Sequence, residues 1–146
     1  MKENFRIFSV PPFVEYQLPA IIYAMAIFVV SSIPYAQPPP LGIVYEDKWI
    51  HLLEYGGLGF LVARAFYFQN RHGWLRRRWF WMAVLATFAY GITDEIHQWF
   101  VPGRYADILD AVADGLGGLL GAYFFSRYLK WKELRMQKTS RKRNGG

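Results

Sequence analysis

The 146-residue sequence contains no cysteine, so it forms neither a disulfide framework nor a metal site built on thiolates. It also lacks any charged residue from Tyr16 to Tyr45. Its first fifteen residues carry no cleavable apolar core, so we expect the first apolar segment itself to direct membrane insertion. No segment alternates cleanly between polar and apolar residues, which argues against strands. These absences favour a helical protein without cysteine chemistry.

Apolar and aromatic side chains are abundant: 53% of the residues are hydrophobic and 19% are aromatic. This is too apolar for a soluble domain of this size unless much of it faces lipid. Four long apolar segments occupy residues 17–34, 47–68, 79–100 and 107–129. Each is about the length that a helix needs to cross a hydrocarbon layer of roughly 30 Å. The sequence therefore predicts an all-α protein, a four-helix transmembrane bundle.

Lysine and arginine are segregated along the chain, and this pattern predicts the topology. Arg71 and the run 76–78 lie between the second and third segments, and eight basic residues lie from Arg127 to Arg143. Because cytoplasmic loops carry the Lys/Arg excess, both termini and this Arg-rich loop are expected on the cytoplasmic side. We divide the chain into an N-terminal interfacial segment (1–16), the membrane domain (17–129) and a basic, flexible cytoplasmic tail (130–146).

Acidic residues gather at the opposite, outer end of the predicted bundle. Eight acids and two bases fall there, so the formal net charge of +6 describes no single surface. The basic residues flank membrane segments, which argues against a nucleic-acid partner and favours membrane lipids. The outer group consists of Glu46, Asp47, Lys48, Glu54, Asp94, Glu95, Arg104, Asp107, Asp110 and Asp114.

The fourth segment carries its acids on one helical face. Asp107, Asp110 and Asp114 follow the spacing i, i+3, i+7. Asp107 is predicted to cap the helix N-terminus. A carboxylate inside the apolar layer, as at Asp114, costs about 3 kcal/mol or more unless it is paired or hydrated, and it is therefore a functional candidate. The stripe continues through small residues that predict close helix packing: Gly117, Gly118 and Gly121.

The second and third segments are expected to supply partners for these acids. An arginine can bridge two carboxylates, so we expect Arg104 to turn inward and pair with acids of the third and fourth segments. Ser31 and Ser32, which end the first segment, are expected only to satisfy carbonyl groups. A divalent metal held by His51, His97 and carboxylates stays open, and no cofactor is assigned. The candidate site residues of these two segments are Asp47, Lys48, His51, Tyr55, Asp94, Glu95 and Gln98.

Two stretches of the sequence resemble the signature blocks of the VanZ-like membrane proteins. DKWIHLLEYGGLG at 47–59 is similar to DK-x-x-H-x-x-x-[FY]. DEIHQWFVPGRYADILDAVADGLGGLLG at 94–121 is similar to DE-x-x-Q-x-F-x-PGR-x-x-D-x-x-D-x-x-x-N-x-x-G-x-x-x-G, with Asp114 where that pattern usually has Asn. The resemblance spans residues 17–129. It implies a small multi-pass protein of a bacterial plasma membrane, in a family whose namesake is associated with teicoplanin resistance.

Three functions stay open from the sequence. The outer acidic site of an envelope protein would bind a lipid headgroup, a cell-wall precursor or a glycopeptide antibiotic, as the resemblance implies. Alternatively, paired carboxylates and His51 would act as acid and base in a membrane enzyme that acts on a lipid-linked precursor. A proton-coupled transporter is the third hypothesis, because intramembrane acids permit it. Whether the protein is an enzyme, and its oligomeric state, are not predicted.

Overall fold

The computed structural model describes residues 10–35, 42 and 44–144, and every regular element in these ranges is helical. The all-α prediction is therefore confirmed. A π-helical turn at Phe13–Gln17 leads directly into the first α-helix. The helices are α1 at Leu18–Ser31, α2 at Glu46–Phe68, α3 at Gly73–Arg77, α4 at Trp79–Gln98 and α5 at Ile108–Asn144.

The helix boundaries differ from the predicted segments at both ends of the chain. The first helix begins at Phe13 instead of residue 17, so part of the predicted interfacial segment is helical, and residues 1–9 lie outside the described ranges. Helix α5 continues through the basic region to Asn144, so residues 130–144 of the predicted tail are helical. No glycine or proline interrupts this region, and Lys, Glu, Arg, Met and Gln are all good helix formers.

Local hydrogen bonds and one left-handed glycine mark the helix ends near the acidic residues. At the end of α1, the Ser32 hydroxyl donates a hydrogen bond to the Phe28 carbonyl, 2.6 Å away. At the start of α5, a carboxylate oxygen of Asp107 accepts the Leu109 N–H at 2.8 Å, which confirms the predicted cap. Between α4 and α5, Gly103 has a φ of +76°, a conformation that L side chains rarely adopt.

The interface between α2 and α5 is made of glycines that let the two backbones touch. A Cβ added at Gly117 would lie 2.5 Å from the Leu52 carbonyl oxygen, and one added at Gly121 would lie 2.6 Å from the Phe60 nitrogen. On the adjacent side of α5, a Cβ at Gly118 would lie 2.9 Å from the Thr87 side chain of α4. All three glycines therefore lie where two helices approach closely.

Apolar packing fills the half of the bundle away from the acids. Phe125 of α5 is fully buried beside Ala63, Ala83 and Ala122. Around it lie aromatic rings at edge-to-face angles, including that of Trp79 at a centroid distance of 5.4 Å. This apolar half packs α2, α4 and α5 against one another, and the polar groups lie in the other half.

Two helical stretches, Phe13–Ser31 and Ile108–Arg143, are long and apolar enough to cross a membrane. Only 11% of the first stretch is buried inside the protein, so its apolar side chains face outward. Helices α2 and α4 do not meet the same criterion. Helix α4 nevertheless exposes an apolar stripe along its whole length, formed by Trp81, Leu85, Phe88, Ile92 and Ile96. A membrane protein is suggested by these features, while four crossings stay a prediction.

The glycine interface predicts different outcomes for two Gly→Ala changes. Gly121→Ala places a methyl group against the α2 backbone and should lower the free energy of unfolding by about 1–3 kcal/mol. Gly56→Ala lies in the same interface, but the nearest atom to its Cβ would be 3.7 Å away, so it should be neutral or stabilising. Thermal unfolding in detergent measures both, and equal melting temperatures would contradict this account.

Candidate functional site

The predicted polar residues of three helices meet at one end of the bundle. They come from the first three turns of α2, the last turns of α4 and the segment from Asp107 into α5. The close approach of α2 and α5 aligns a stripe containing Lys48, His51 and Tyr55 with the acidic stripe of α5. Ion pairs join the two stripes, Lys48 with Asp107 and His51 with Asp114.

Lys48 is the centre of the charged part of the site. Its ammonium nitrogen lies 2.8 Å from an Asp47 oxygen, 2.5 Å from an Asp107 oxygen and 2.7 Å from Oδ1 of Asp110. The Lys48 side chain is only 17% exposed, whereas Asp47 and Asp107 are 49% and 40% exposed. The pair with the buried Asp110 is therefore the one least screened by water.

Arg104 does not bridge the acids, which corrects the prediction made for it. Its guanidinium donates a hydrogen bond to the Val30 carbonyl at 3.1 Å, and it makes no ion pair within the described ranges. The turn at Gly103 directs the chain so that Arg104 reaches the end of α1. Lys48 takes the bridging position because it lies on α2, directly opposite the α5 acids.

His51 lies between two acids one turn apart on α5. Its Nδ1 is 2.9 Å from an Asp114 oxygen, and its Nε2 is 4.0 Å from an Asp110 oxygen. Glu95 of α4 approaches the same place, and one of its oxygens accepts the Asp107 N–H at 2.8 Å. Single donor atoms of His51, Glu95 and Asp114 all lie within 4.8 Å of one another. This group of three side chains is called the imidazole–carboxylate cluster below.

Asp94 forms a separate hydrogen-bonded group with an unexpected partner from α1. Its Oδ2 accepts a bond from Ser31 at 2.9 Å and a second from the Gln98 amide at 3.1 Å. All three side chains are buried. Ser31 thus binds a site carboxylate instead of a backbone carbonyl, contrary to the expectation for it. A serine at the polar end of an apolar helix was the only signal, and it did not identify the partner.

His97 lies apart from the cluster that contains His51. Its Nε2 is 2.9 Å from the Ser32 hydroxyl, and its ring stacks on Phe28 at a centroid distance of 4.7 Å. His97 is in neither of the groups of potential metal ligands found among the described residues. The sequence hypothesis of a metal shared by His51 and His97 therefore loses its second histidine, while His51 keeps two nearby carboxylates.

Several buried polar atoms of the site lack a hydrogen-bond partner. Among the described residues these include Oε1 of Glu95 and Oδ2 of Asp114. Oδ1 of Asp110 also lacks a hydrogen bond, but the Lys48 ammonium 2.7 Å away compensates its charge. Buried polar groups without partners are uncommon in folded proteins, so their concentration here points to a place where a ligand completes the site.

A cavity of about 1330 Å³ opens beside these groups. Acids outnumber bases on its wall, with Lys48 and Arg104 as the two described cations. Glu54, which the sequence placed at the outer end without a role, also lines it. The other titratable residues on the wall are Tyr23, Tyr45, Glu46, Asp47, His51, Asp94, Tyr105, Asp107 and Asp110.

Two groups of side chains could hold a metal ion by the spacing of their donors. One is the imidazole–carboxylate cluster, and the other is formed by Asp47, Asp107 and Asp110. The second group already surrounds the Lys48 ammonium, which supplies the positive charge that a metal would bring. Among the described residues, no lysine or arginine pairs with the first group. The one positive charge that this group can gain from the protein is a proton on His51.

Comparison with known proteins gives one family. The family model described as VanZ/LLP1 matches residues 18–130, which contain α1 to α4, the first part of α5 and every residue of the site. No curated protein and no solved structure matches the chain.

Removal of Lys48 should destabilise the bundle because it leaves Asp110 buried without its cation. Lys48→Met is expected to lower the free energy of unfolding by about 3 kcal/mol. Adding Asp110→Asn removes the stranded charge, so the double variant should recover most of the loss. Lys130→Met, on the exposed part of α5, is the matched control and should have little effect. Thermal unfolding in detergent that is equally affected by Lys48→Met and Lys130→Met would contradict this role.

Proposed function

The chain belongs to the VanZ-like family, and we propose that it is a multi-pass protein of the bacterial plasma membrane whose acidic cavity binds a polar headgroup. The family match and the two apolar helices support the membrane assignment. The observation that carries the binding proposal is the cavity of about 1330 Å³, which is lined by charged groups from all three site helices. Such a volume accommodates a headgroup or a sugar.

The charge of the wall favours a headgroup that carries an ammonium and hydroxyl groups. The cavity is lined by Glu46, Asp47, Glu54, Asp94, Asp107 and Asp110, against the cations Lys48 and Arg104. Lys48 is already paired with three of these acids. A bare phosphate would therefore meet more negative than positive charge. Ammonium groups occur in amino-phospholipids, in peptide-bearing cell-wall precursors and in glycopeptides, so this chemistry includes all three expected ligand types.

The proposed orientation puts the cavity at the outer surface and the arginine-rich turn in the cytoplasm. Helix α3 and its neighbours carry Arg71, Arg76, Arg77 and Arg78, whereas the cavity end is acidic. The four longest helices, α1, α2, α4 and α5, then cross the bilayer. At 1.5 Å per residue, the 20 residues of α4 extend over about 30 Å and the 23 of α2 over about 35 Å, enough to cross the hydrocarbon layer.

This orientation can be tested by cysteine labelling, because the chain has no native cysteine. Tyr105→Cys lies beside the cavity, Gly73→Cys lies in the arginine-rich turn, and Lys138→Cys lies on the extension of α5. In intact cells, a membrane-impermeant maleimide should label only Tyr105→Cys, and permeabilised cells should show labelling of all three. Equal labelling of Tyr105→Cys and Gly73→Cys in intact cells would exclude the proposed topology.

Headgroup binding can be tested with a pair of lipids that differ in one charge. Purified protein in detergent should bind phosphatidylethanolamine at least fivefold more tightly than its N-acetylated form, a difference of about 1 kcal/mol. Native mass spectrometry measures both affinities, together with those of phosphatidylglycerol and a peptide-bearing lipid-linked precursor. Tighter binding of the precursor than of phosphatidylethanolamine would identify the wall precursor as the ligand class.

Variants connect this selectivity to the cavity. Glu54→Gln and Asp94→Asn each remove one negative charge from the wall and should reduce the preference for the free amine. Glu133→Gln removes a charge from the exposed extension of α5 and should leave it unchanged. The proposal fails if phosphatidylglycerol binds as well as the amino lipid, or if all three variants behave alike.

A further inference from the structure

The geometry points to a divalent metal site that the headgroup proposal does not use. We propose that His51, Glu95 and Asp114 bind one Zn²⁺-like transition-metal ion at the base of the cavity end of the bundle. The three side chains come from three different helices, α2, α4 and α5. A bound ion would therefore also tie these helices together.

The donor atoms are already close enough for one ion. One atom from each of the three side chains lies within 4.8 Å of the other two. A Zn²⁺ ion sits about 2.0–2.2 Å from nitrogen and carboxylate ligands, so small side-chain movements would bring all three into the coordination sphere. The helices that carry them are held at short range, since a Cβ at Gly91 of α4 would lie 2.7 Å from Oδ2 of Asp114.

Two unpartnered oxygens provide the independent observation that a ligand belongs here. Oε1 of Glu95 and Oδ2 of Asp114 are buried without a hydrogen bond, in side chains of residues that are only 6% and 0% exposed. The other oxygen of Glu95 accepts the Asp107 N–H, and the other oxygen of Asp114 lies 2.9 Å from Nδ1 of His51. Each carboxylate thus keeps one buried oxygen without a hydrogen-bond partner. Binding of the ion would displace the proton between Nδ1 of His51 and Asp114, because metal ligands have to be deprotonated.

The charges of the cluster match a dication. Lys48 compensates Asp110, and Asp94 is held by two neutral donors, Ser31 and Gln98. The ionised forms of Glu95 and Asp114 would place two buried negative charges beside a single imidazole. Two buried carboxylates without a cation are strongly unfavourable in an apolar layer. One divalent ion neutralises both, whereas a proton on His51 neutralises only one.

The donor set also indicates which metal fits. One imidazole nitrogen with two carboxylate oxygens suits Zn²⁺, Fe²⁺ or Mn²⁺ better than the all-oxygen preference of Mg²⁺ or Ca²⁺. Three protein ligands leave a fourth position open in a tetrahedral site. His51 lines the cavity, so an exchangeable ligand could reach the ion from there.

The test measures metal binding directly in the full-length protein in detergent. After chelator treatment, the protein should take up one equivalent of Zn²⁺ in equilibrium dialysis with elemental analysis, and Co²⁺ should give a visible absorption spectrum. Asp114→Asn and Glu95→Gln, which keep side-chain shape, should each weaken Zn²⁺ binding at least tenfold. Glu133→Gln should bind like the parent, and Mg²⁺ in tenfold excess should not compete.

Folding is checked separately so that each outcome is decisive. Size-exclusion profiles and circular dichroism establish that each variant is folded, and Zn²⁺ should raise the melting temperature of the parent but not of Asp114→Asn. Absence of stoichiometric uptake by the parent, or unchanged affinity in both folded cluster variants, would overturn the site. No lipid is present in these measurements, so their failure would leave the headgroup proposal intact, and the lipid comparison contains no metal.

Discussion

The close approach of α2 and α5 is the constraint on which the polar site depends. Gly117 and Gly121 allow the α2 backbone to lie against α5, where any side chain would push the helices apart. At that separation Lys48 reaches Asp110, and His51 reaches Asp114, while the Lys48 and His51 side chains stay only 17% and 15% exposed. The glycines therefore act on the site by setting the distance between the helices, because the attraction between two buried charges falls as they separate.

The carboxylates of the site are stabilised in two different ways. Lys48 serves three carboxylates at once, and the exposed two, Asp47 and Asp107, also reach water. Asp94 relies on neutral hydrogen bonds from Ser31 and Gln98. A carboxylate held by neutral donors is oriented but keeps its charge. Net negative potential therefore persists along the cavity wall, and this is the physical basis for expecting a cationic headgroup there.

Most of the fold and the membership of the site follow from sequence spacing. The stripe of Asp107, Asp110 and Asp114 follows from helical periodicity, and the cap at Asp107 follows from local preference. The role of Arg104 does not, because a left-handed turn at Gly103 decides where that side chain goes. The partner of Ser31 depends on how α1 packs beside α4, for which no pattern in the sequence provides a register. Contacts between residues that are far apart in the sequence depend on helix packing, which the sequence pattern does not give.

Asp114 is a charged residue type at a fully buried position. The signature pattern usually has Asn there, and a neutral amide would satisfy the His51 ring without any buried charge. An aspartate at full burial instead adds a negative charge next to Glu95, packed against Gly91 with one oxygen unpartnered. Protonation of Asp114 would remove that charge, but its buried Oδ2 would still have no hydrogen-bond partner. A cation shared by Asp114, Glu95 and His51 accounts for the charge, the free oxygens and the convergence of three helices with a single assumption.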